Sequence, residues 1–211
     1  MSQFFEIHPD NPQPRLVKLA AQCLAKGGVV AIPTDSSYAL ICHLDDKSAV
    51  DQLRRIRQME ERHHLSLLCS DLSELANYAR VNNRQYRMLK LGTPGPYTFI
   101  LDASKEVPRR VSHPSRKTIG LRVPAHRVTQ ALLQEVGAPV LSTSLILPGQ
   151  SDPLSDAHEI REELEHQVAA VIDAGPCALD ATTVVDLTPM NTGGEAELIR
   201  QGAGPADALG L

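Results

Sequence analysis

The sequence predicts one α/β domain built on a mixed β-sheet flanked by helices. Short apolar runs of strand length alternate with longer segments in which apolar residues recur at helical spacing. Several of the predicted strands follow one another without an intervening helix, which favours a mixed sheet over a purely parallel one. The 211 residues contain no Pro/Gly-rich linker long enough to divide them, so we expect a single domain over residues 1–211.

The first half of the chain is assigned from capping residues and apolar spacing. A helix is expected to begin near Pro12 with Asn11 as its cap, and Gly27–Gly28 ends it. Its predicted buried stripe is Leu16, Leu19, Ala20, Cys23 and Leu24. The other predicted elements of this half are strands at 4–7, 29–32, 39–44 and 65–69, and helices at 47–59, 71–78 and 82–91.

The second half begins after a hard break at Thr93–Pro96. A basic loop over 105–117 separates two of its strands, and the core is expected to span about 12–202. The tail, 203–211, is small and polar, so we expect it to fray. The predicted elements are strands at 97–101, 118–123, 140–144, 169–173, 183–187 and 197–200, and helices at 125–136 and after the Ser155–Asp156 cap.

Charge is distributed unevenly along the chain. The net charge is −4, yet residues 54–127 hold fifteen Lys/Arg against six Asp/Glu, a net charge of +9. A positive middle in an acidic protein indicates an anionic partner, namely the phosphates of a nucleotide or of a nucleic acid. The alternative is that these cations lie on solvated helix and loop faces.

Composition limits the location and the class of protein. No apolar run approaches the ~20 residues of a membrane span, so no membrane partner is expected. The amino terminus lacks a signal-peptide pattern, which predicts a cytoplasmic protein. The four cysteines form no C-x-x-C pair, and His63–His64 does not have metal-ligand spacing, so no metal site is predicted.

Hydroxyl side chains collect at the ends of three predicted strands. The most informative is Pro33–Tyr38, where an apolar strand runs into Thr, Ser, Ser and Tyr; the others are Ser142–Ser144 and Thr182–Thr183. Buried hydroxyls without partners cost ~1–3 kcal/mol, and a polar ligand would supply those partners. Because ligands of α/β sheets sit outside strand ends, we expect the three segments to line one binding site.

Two arginines lie inside predicted apolar strands. Arg122 and Arg200 must each be paired or face a ligand, because an isolated buried charge is prohibitive. A structural salt bridge is the alternative for each of them. The chain contains neither a P-loop nor a Rossmann fingerprint, so any nucleotide site is of another kind.

Five segments, taken in order, resemble the YrdC/YciO family. The chain looks closest to the YciO branch, partly because of Ile7–Pro12, Lys105–Arg110 and Leu141–Gly149. The match covers about residues 12–202 and implies a twisted mixed sheet with a basic concave face. The segments that carry the resemblance are Pro33–Leu40, Pro94–Leu101, Ile119–Pro124, Ser142–Ser144, and Thr182–Leu187 followed by Arg200.

The resemblance implies an activity and assigns roles to residues. Members of the family make L-threonylcarbamoyl-AMP from threonine, bicarbonate and ATP, which feeds threonylcarbamoyladenosine formation in tRNA, and the family is credited with double-stranded RNA binding. ATP would bring Mg²⁺ as a substrate ion, with no tightly bound cofactor. The implied threonine-side residues are Thr34, Arg122, Ser142 and Thr182, and the implied nucleotide-side residues are Arg57, Thr118, Ser144 and Arg200.

The sequence also departs from the synthase pattern, and this leaves two hypotheses open. Cations and an Asn donor expected of the synthases are replaced here, and no catalytic residue is assigned. One hypothesis is a threonylcarbamoyl-AMP synthase-like enzyme, and the other is a non-catalytic double-stranded RNA-binding module. The replaced positions are Met59, His63, Leu68 and Ile146.

Overall fold

The fold was taken from a computed structural model, which describes residues 1–59, 65–109, 111–112, 115 and 117–211. Its strands are β1 Gln3–Glu6, β2 Val30–Ile32, β3 Ala39–His43, β4 Ser66–Leu68, β5 Tyr97–Asp102, β6 Thr118–Arg122, β7 Val140–Ser144, β8 Ala170–Asp173, β9 Thr183–Asp186 and β10 Glu197–Arg200. Its α-helices are α1 Pro14–Ala25, α2 Lys47–Arg57, α3 Leu72–Tyr78, α4 Asn83–Gly92, α5 Arg127–Val136 and α6 Ala157–Leu164, and Thr188–Thr192 and Ala206–Leu209 are 3-10 helices.

All ten strands belong to one twisted sheet, in the order β1-β8-β2-β3-β7-β4-β6-β5-β9-β10. Strand β8 pairs in parallel with β1 and β2, and β6–β4 and β5–β9 are parallel as well. The remaining neighbours are antiparallel. The prediction of a mixed sheet flanked by helices is therefore confirmed.

The two faces of the sheet are covered unequally. Helices α2, α3, α4 and α6 cover one face along the length of the sheet and form the larger hydrophobic core. Helices α1 and α5 cover the other face only over β1, β8, β2, β3, β7 and the end of β4. On that second face, no apolar cover from the described helices lies over the part of the sheet formed by β4, β6, β5, β9 and β10, and this opening positions the candidate site.

The start of α1 differs from the prediction. The helix begins at Pro14, and Gln13 occupies the N-cap position without a side-chain cap. Asn11 does not cap the helix, because it stands two residues before the N-cap position, and its backbone N–H donates to His8 Nδ1 at 3.1 Å within a turn. The side-chain amide of Gln13 is part of the same turn, because its Oε1 accepts from the His8 N–H at 3.0 Å.

The carboxy-terminal tail is packed against the sheet, so the expectation that 203–211 frays is wrong. Leu209 is only 3% exposed within the larger core. The Tyr97 hydroxyl donates to the Pro205 carbonyl at 3.0 Å. Gly204 lies so close to the Tyr97 ring that a Cβ on it would come within 2.4 Å of Cε1. One apolar residue among small neighbours is sufficient to hold the tail, because it finds a preformed apolar site beside α4.

Candidate functional site

An open cleft of about 290 Å³ lies on the part of the sheet that α1 and α5 leave uncovered. Its floor is formed by side chains of neighbouring strands, and it is bordered by the edge strand β10. The described residues that line it are Leu65, Ser66, Thr98, Ile100, Gly120, Ser144, Thr182, Val184, Asp186, Ile199 and Arg200.

The pleat of the sheet produces this floor. In β5, Phe99 and Leu101 are fully buried in the larger core, whereas Thr98 and Ile100 point to the opposite face, as alternation requires. Gly120 of β6 pairs with both Ile100 and Ser66. A Cβ at Gly120 would lie 3.1 Å from Thr98 Cγ2 and 3.3 Å from Ser66 Cβ, so the absence of a side chain keeps the floor open.

Three of the predicted site residues, Ser144, Thr182 and Arg200, line this cleft together. Arg200 donates from Nη2 to the Thr182 carbonyl at 2.9 Å and from Nε to the same oxygen at 3.2 Å. The Thr182 hydroxyl lies 2.9 Å from the Thr98 hydroxyl. Arg200 is an exposed residue anchored by a backbone carbonyl, and no carboxylate among the described residues pairs with it. Its positive charge therefore remains available to an anion in the cleft.

The Thr34 and Tyr38 hydroxyls of the segment Thr34–Tyr38 are hydrogen-bonded within the protein. Thr34 Oγ1 donates to the Ser37 carbonyl at 2.6 Å and accepts from the Ser36 N–H at 3.2 Å. The Tyr38 hydroxyl lies 3.2 Å from the carbonyls of Ile172 and of Gly175. The expectation that a ligand must complete these hydrogen bonds is thus wrong for Thr34 and Tyr38. In the folded chain the hydroxyls of Thr34 and Tyr38 reach backbone carbonyls, and the sequence alone does not show that these carbonyls lie within reach.

Arg122 is buried beside this segment and is paired with Asp35. Its Nη2 donates to Asp35 Oδ1 and, at 3.3 Å, to Thr34 Oγ1, so two predicted threonine-side residues are in contact. Asp35 Oδ2 also accepts from the Ala125 N–H at 2.9 Å. Burial lowers the pKa of the Arg122 guanidinium, and the neighbouring Asp35 carboxylate opposes that shift. Arg122 Nε is buried and has no hydrogen-bond partner among the described residues.

Arg122 lies at the boundary between the covered and the open parts of the sheet face. It stands two residues from Gly120 on β6 and therefore on the same face as the cleft floor. On its other side it pairs with Leu68, which belongs to the core beneath α1 and α5. Ser142 occupies an equivalent position on β7, between Ser66 of the cleft and Ile41 of that core.

The remaining two predicted residues do not line the cleft. Thr118, the first residue of β6, is 5% exposed, and its hydroxyl has no hydrogen-bond partner in the described part of the chain. Arg57 is the last residue of α2, and its buried Nε likewise has no partner among the described residues. Burial lowers the pKa of the Arg57 guanidinium. Both positions thus carry polar atoms that the described residues do not satisfy.

The residues that depart from the synthase pattern have different surroundings. Leu68 is fully buried in the core beneath α1 and α5, and Met59 packs against the larger core. The Ile146 N–H donates to the Ser144 carbonyl at 3.0 Å, so this position is close to the cleft. His63 and His64 lie outside the described residues. The synthase pattern has an Asn at the position of Ile146, so the apolar side chain here lacks a hydrogen-bond donor that the pattern provides.

Several residues of the site were not predicted from the sequence. Thr98, Ser66 and Asp186 line the cleft, and Asp35 holds Arg122. The available signal in β5 was the polar Thr98 between Tyr97 and Phe99. The charges of the described lining residues are one Arg and one Asp, so this lining does not supply the expected basic face.

Neither a metal site nor a membrane span is found in the part of the chain that the structure describes. Within those residues, no three His, Cys, Asp or Glu side chains come together as metal ligands would. No helix there has the length and apolarity needed to cross a bilayer.

The fold and the site define a class of α/β protein in which a sheet face, half covered by helices, carries an open polar cleft. Residues 22–202 match the Sua5/YciO/YrdC family, described as "Telomere recombination". The chain belongs to this family, and the resemblance found in the sequence is confirmed.

The chain is similar to three proteins that illustrate the relationship: YciO of Escherichia coli, a threonylcarbamoyl-AMP synthase of Halorhodospira halophila and Sua5 of P. abyssi. The chain is 53% identical over 188 residues to YciO of Escherichia coli K12, covering 89% of this chain and 91% of the relative. The crystal structure of E. coli YciO superposes with a TM-score of 0.94 at 49% identity, over 99% of this chain and 100% of that one. A threonylcarbamoyl-AMP synthase of Halorhodospira halophila is 32% identical over 178 residues, covering 84% of this chain and 92% of the relative.

The third protein is a larger one. Sua5 of P. abyssi complexed with L-threonine has a TM-score of 0.87 at 25% identity, with 98% of this chain covering 59% of that chain. The fold found here therefore corresponds to one part of that protein.

Proposed function

We propose that the cleft binds a nucleotide and that the protein has threonylcarbamoyl-AMP synthase-like activity on threonine, bicarbonate and ATP. The observation that carries this proposal is the cluster of Arg200, Thr182, Thr98 and Ser144 in one cleft, with the Arg200 charge free of any described carboxylate. The 32% identical relative named a threonylcarbamoyl-AMP synthase supports the same reaction class.

The reaction requires a site that gathers anions. Threonine and bicarbonate condense to a carbamate with loss of water, and a carbamate oxygen then attacks the α-phosphorus of ATP. The new O–P bond forms as the bond to the β-phosphate oxygen breaks, and pyrophosphate leaves. Because negative charge concentrates on the phosphates, fixed cations and hydroxyl donors favour this step. Arg200 and the paired hydroxyls of Thr98 and Thr182 are placed to provide them.

Threonine would bind at the boundary where Thr34 and Arg122 meet. Arg122 Nη2 is already occupied by Asp35, whereas its buried Nε has no partner. A substrate carboxylate that reaches Nε would satisfy this donor without displacing Asp35. The similarity to a Sua5 structure complexed with L-threonine supports an amino-acid site in this fold.

We expect the turnover to be low. Each lost charge-assisted contact is worth roughly 1.5–3 kcal/mol, and Met59 and Ile146 are apolar where the synthase pattern has polar groups. Mg²⁺ would enter with ATP as part of the substrate, and the phosphates would supply most of its ligands.

The test is to incubate the protein with threonine, bicarbonate and α-labelled ATP and to measure adenylate and pyrophosphate. Arg200→Ala should weaken ATP binding by about tenfold or more, because a charge-assisted contact is lost. Arg87→Ala is the matched control, since Arg87 is an exposed residue of α4 that does not line the cleft.

Absence of adenylate at high protein concentration would remove the catalytic half of the proposal. Equal loss of ATP affinity in Arg200→Ala and Arg87→Ala would remove the nucleotide site from this cleft. The competing candidate, a non-catalytic double-stranded RNA-binding module, draws no support from the cleft, because its described lining carries one Arg and one Asp.

A further inference from the structure

His126 stands at the start of α5, between two hydrogen bonds that tie this helix to the turn after β2. The residue before it, Ala125, donates its N–H to Asp35 Oδ2 at 2.9 Å. Three residues after it, the Thr129 hydroxyl donates to the Pro33 carbonyl at 2.5 Å. Because both ends of this short stretch are held against the same turn, the backbone at His126 is fixed beside the turn that carries Asp35.

Hydrogen bonding distinguishes the two ring nitrogens of His126. Its Nδ1 lies 3.4 Å from the Thr129 hydroxyl oxygen. That hydroxyl gives its own hydrogen to the Pro33 carbonyl, so towards the ring it acts as an acceptor. The proton of the neutral ring is therefore on Nδ1, and Nε2 carries the lone pair. Within the described part of the chain, the hydrogen bonding of this ring involves Nδ1 alone.

The surroundings of His126 favour a neutral ring that can take up a proton. The side chain is half-buried, and burial lowers the pKa of its imidazole. The Asp35 carboxylate opposes this shift, whereas the Arg122 guanidinium adds to it. Asp35 would thus stabilise the imidazolium once a proton has been accepted. The neighbouring cation on the same helix, Arg127, is paired with Asp10.

The other titratable groups at this turn are poor bases. Cys177 Sγ donates to the Thr34 carbonyl at 3.5 Å, and burial raises the pKa of this thiol to about 11. Burial also raises the pKa of the Tyr38 phenol, which is hydrogen-bonded to backbone carbonyls. Both groups stay protonated at neutral pH, and the Asp35 carboxylate is held in its ion pair. Among the described groups around the turn, His126 is the one with a lone pair available for a proton.

We propose that His126 is the base that removes a proton from the ammonium group of threonine, a role that rests on the reaction proposed above. The carboxylate and the ammonium group of an α-amino acid are joined to one carbon. A threonine whose carboxylate binds Arg122 Nε therefore presents its ammonium group near that guanidinium, where Asp35 attracts a cation. The electrostatic interaction of His126 with both members of this ion pair places the ring at the same spot.

The proton transfer prepares the first bond-forming step. At neutral pH the amino group of free threonine is mainly an ammonium ion, which has no lone pair with which to attack bicarbonate. His126 Nε2 accepts one proton, and the electrons of the broken N–H bond remain on the amine as its lone pair. The amine then forms a C–N bond to the bicarbonate carbon, and the bicarbonate hydroxyl leaves with a second amine proton as water. The imidazolium finally returns its proton to solvent.

The variant His126→Asn tests this role, because its amide can still donate to Thr129 Oγ1 while nothing replaces Nε2. With threonine, bicarbonate and ATP, we expect kcat for adenylate formation to fall about 100-fold or more, as for loss of a general base, and the KM for threonine to change less than threefold. The control His166→Gln replaces an exposed histidine just after α6 and should leave both values unchanged.

The pH profile gives a readout that a structural role would not change. In the unaltered chain the rate should rise with pH and level off once His126 is neutral, at a pH below the ordinary pKa of histidine, because burial lowers this pKa. In His126→Asn this plateau should disappear, and the rate should continue to rise as free amine accumulates. A plateau retained at the same pH in His126→Asn would overturn the proposal.

A second measurement uses the unaltered chain and does not depend on how the variant folds. In an NMR titration with threonine, the imidazole resonances of His126, identified by their loss in His126→Asn, should shift, whereas those of His166 should not. Unshifted His126 resonances at threonine concentrations that saturate turnover would overturn the proposal, as would an unchanged kcat in His126→Asn. Either result would leave the proposed function intact. Absence of adenylate with the unaltered chain would overturn the proposed function and the role of His126 together.

Discussion

Arg122 and Asp35 form a buried ion pair at the boundary of the cleft, with side chains 6% and 13% exposed. Two charges removed from water are tolerated only when each has partners. Asp35 meets this condition with Arg122 and the Ala125 N–H, and Arg122 with Asp35 and Thr34. The pair thereby fixes the guanidinium that we assign to threonine.

We predict that Asp35→Ala lowers the free energy of unfolding by about 3 kcal/mol, because it leaves Arg122 as an uncompensated buried charge. Urea denaturation measures this change. The double variant Asp35→Ala/Arg122→Met removes both charges and should recover part of the loss. A cost below about 1 kcal/mol for Asp35→Ala would mean that the pair is solvated and does not position Arg122.

The need of a residue for a partner was predicted well where it follows from neighbours in sequence. The partner itself was missed where it lies far away in sequence. Arg122 in an apolar strand was correctly expected to need a partner. Asp35 was not identified as that partner, because it is 87 residues away in sequence. Thr98 was missed for the same reason, since it meets Thr182 across 84 residues. Spacing along the chain carries no information about such contacts until the strand order is known.

At the scale of elements, the carboxy-terminal tail is a structural part of the domain. The 3-10 helix Ala206–Leu209 places Leu209 in the larger core, beside α4. Tyr97 of β5 and Gly204 make the other close contacts. The tail thus packs against Tyr97 at the start of β5. Two later residues of the same strand, Thr98 and Ile100, form part of the cleft floor.

We predict that Leu209→Ala lowers the free energy of unfolding by about 2–4 kcal/mol, as expected for a buried Leu. Leu211→Ala is the control: Leu211 is 39% exposed and its replacement should cost no more than about 0.5 kcal/mol. Both values come from denaturant titration at one pH. Equal and small costs would show that the tail frays in solution, as its composition suggests.

Several elements were predicted correctly from local patterns in the sequence. Strands β7 and β10 have the predicted bounds, and Asp71 caps α3 as expected. Helix α5 begins at Arg127 and not at Ala125, whose N–H is held by Asp35. Ends that depend on a distant partner cannot be placed from local propensity alone.

At the scale of the whole molecule, the uneven cover of one sheet face creates the site. The row of paired residues that begins with the buried Ile41 continues through Ser142 into Ser66 and Gly120, where none of the described helices packs. The composition of the strands indicated this change, since small and polar residues replace apolar ones. The strand order that assembles those residues on one floor was beyond what the sequence alone could give.

We predict that Gly120→Val blocks the cleft while the protein remains folded. The Cβ alone would lie 3.1 Å from Thr98 Cγ2 and 3.3 Å from Ser66 Cβ, so these side chains must shift, and the free energy of unfolding should fall by about 1–3 kcal/mol. Calorimetric titration should detect at least a tenfold loss of ATP affinity. Undiminished affinity in the folded variant would place the nucleotide elsewhere.

The edge position of β10 predicts that ligand binding orders the wall of the cleft that this strand forms. Among the described strands it pairs with β9 alone, its register shifts between Leu198 and Arg200, and all four of its residues are exposed. The wall of the cleft that carries Arg200 is therefore expected to open more readily than the central strands of the sheet. Amide exchange should be fast there in the free protein and slow in the complex, so the anchoring cation would be ordered by the phosphates that it holds.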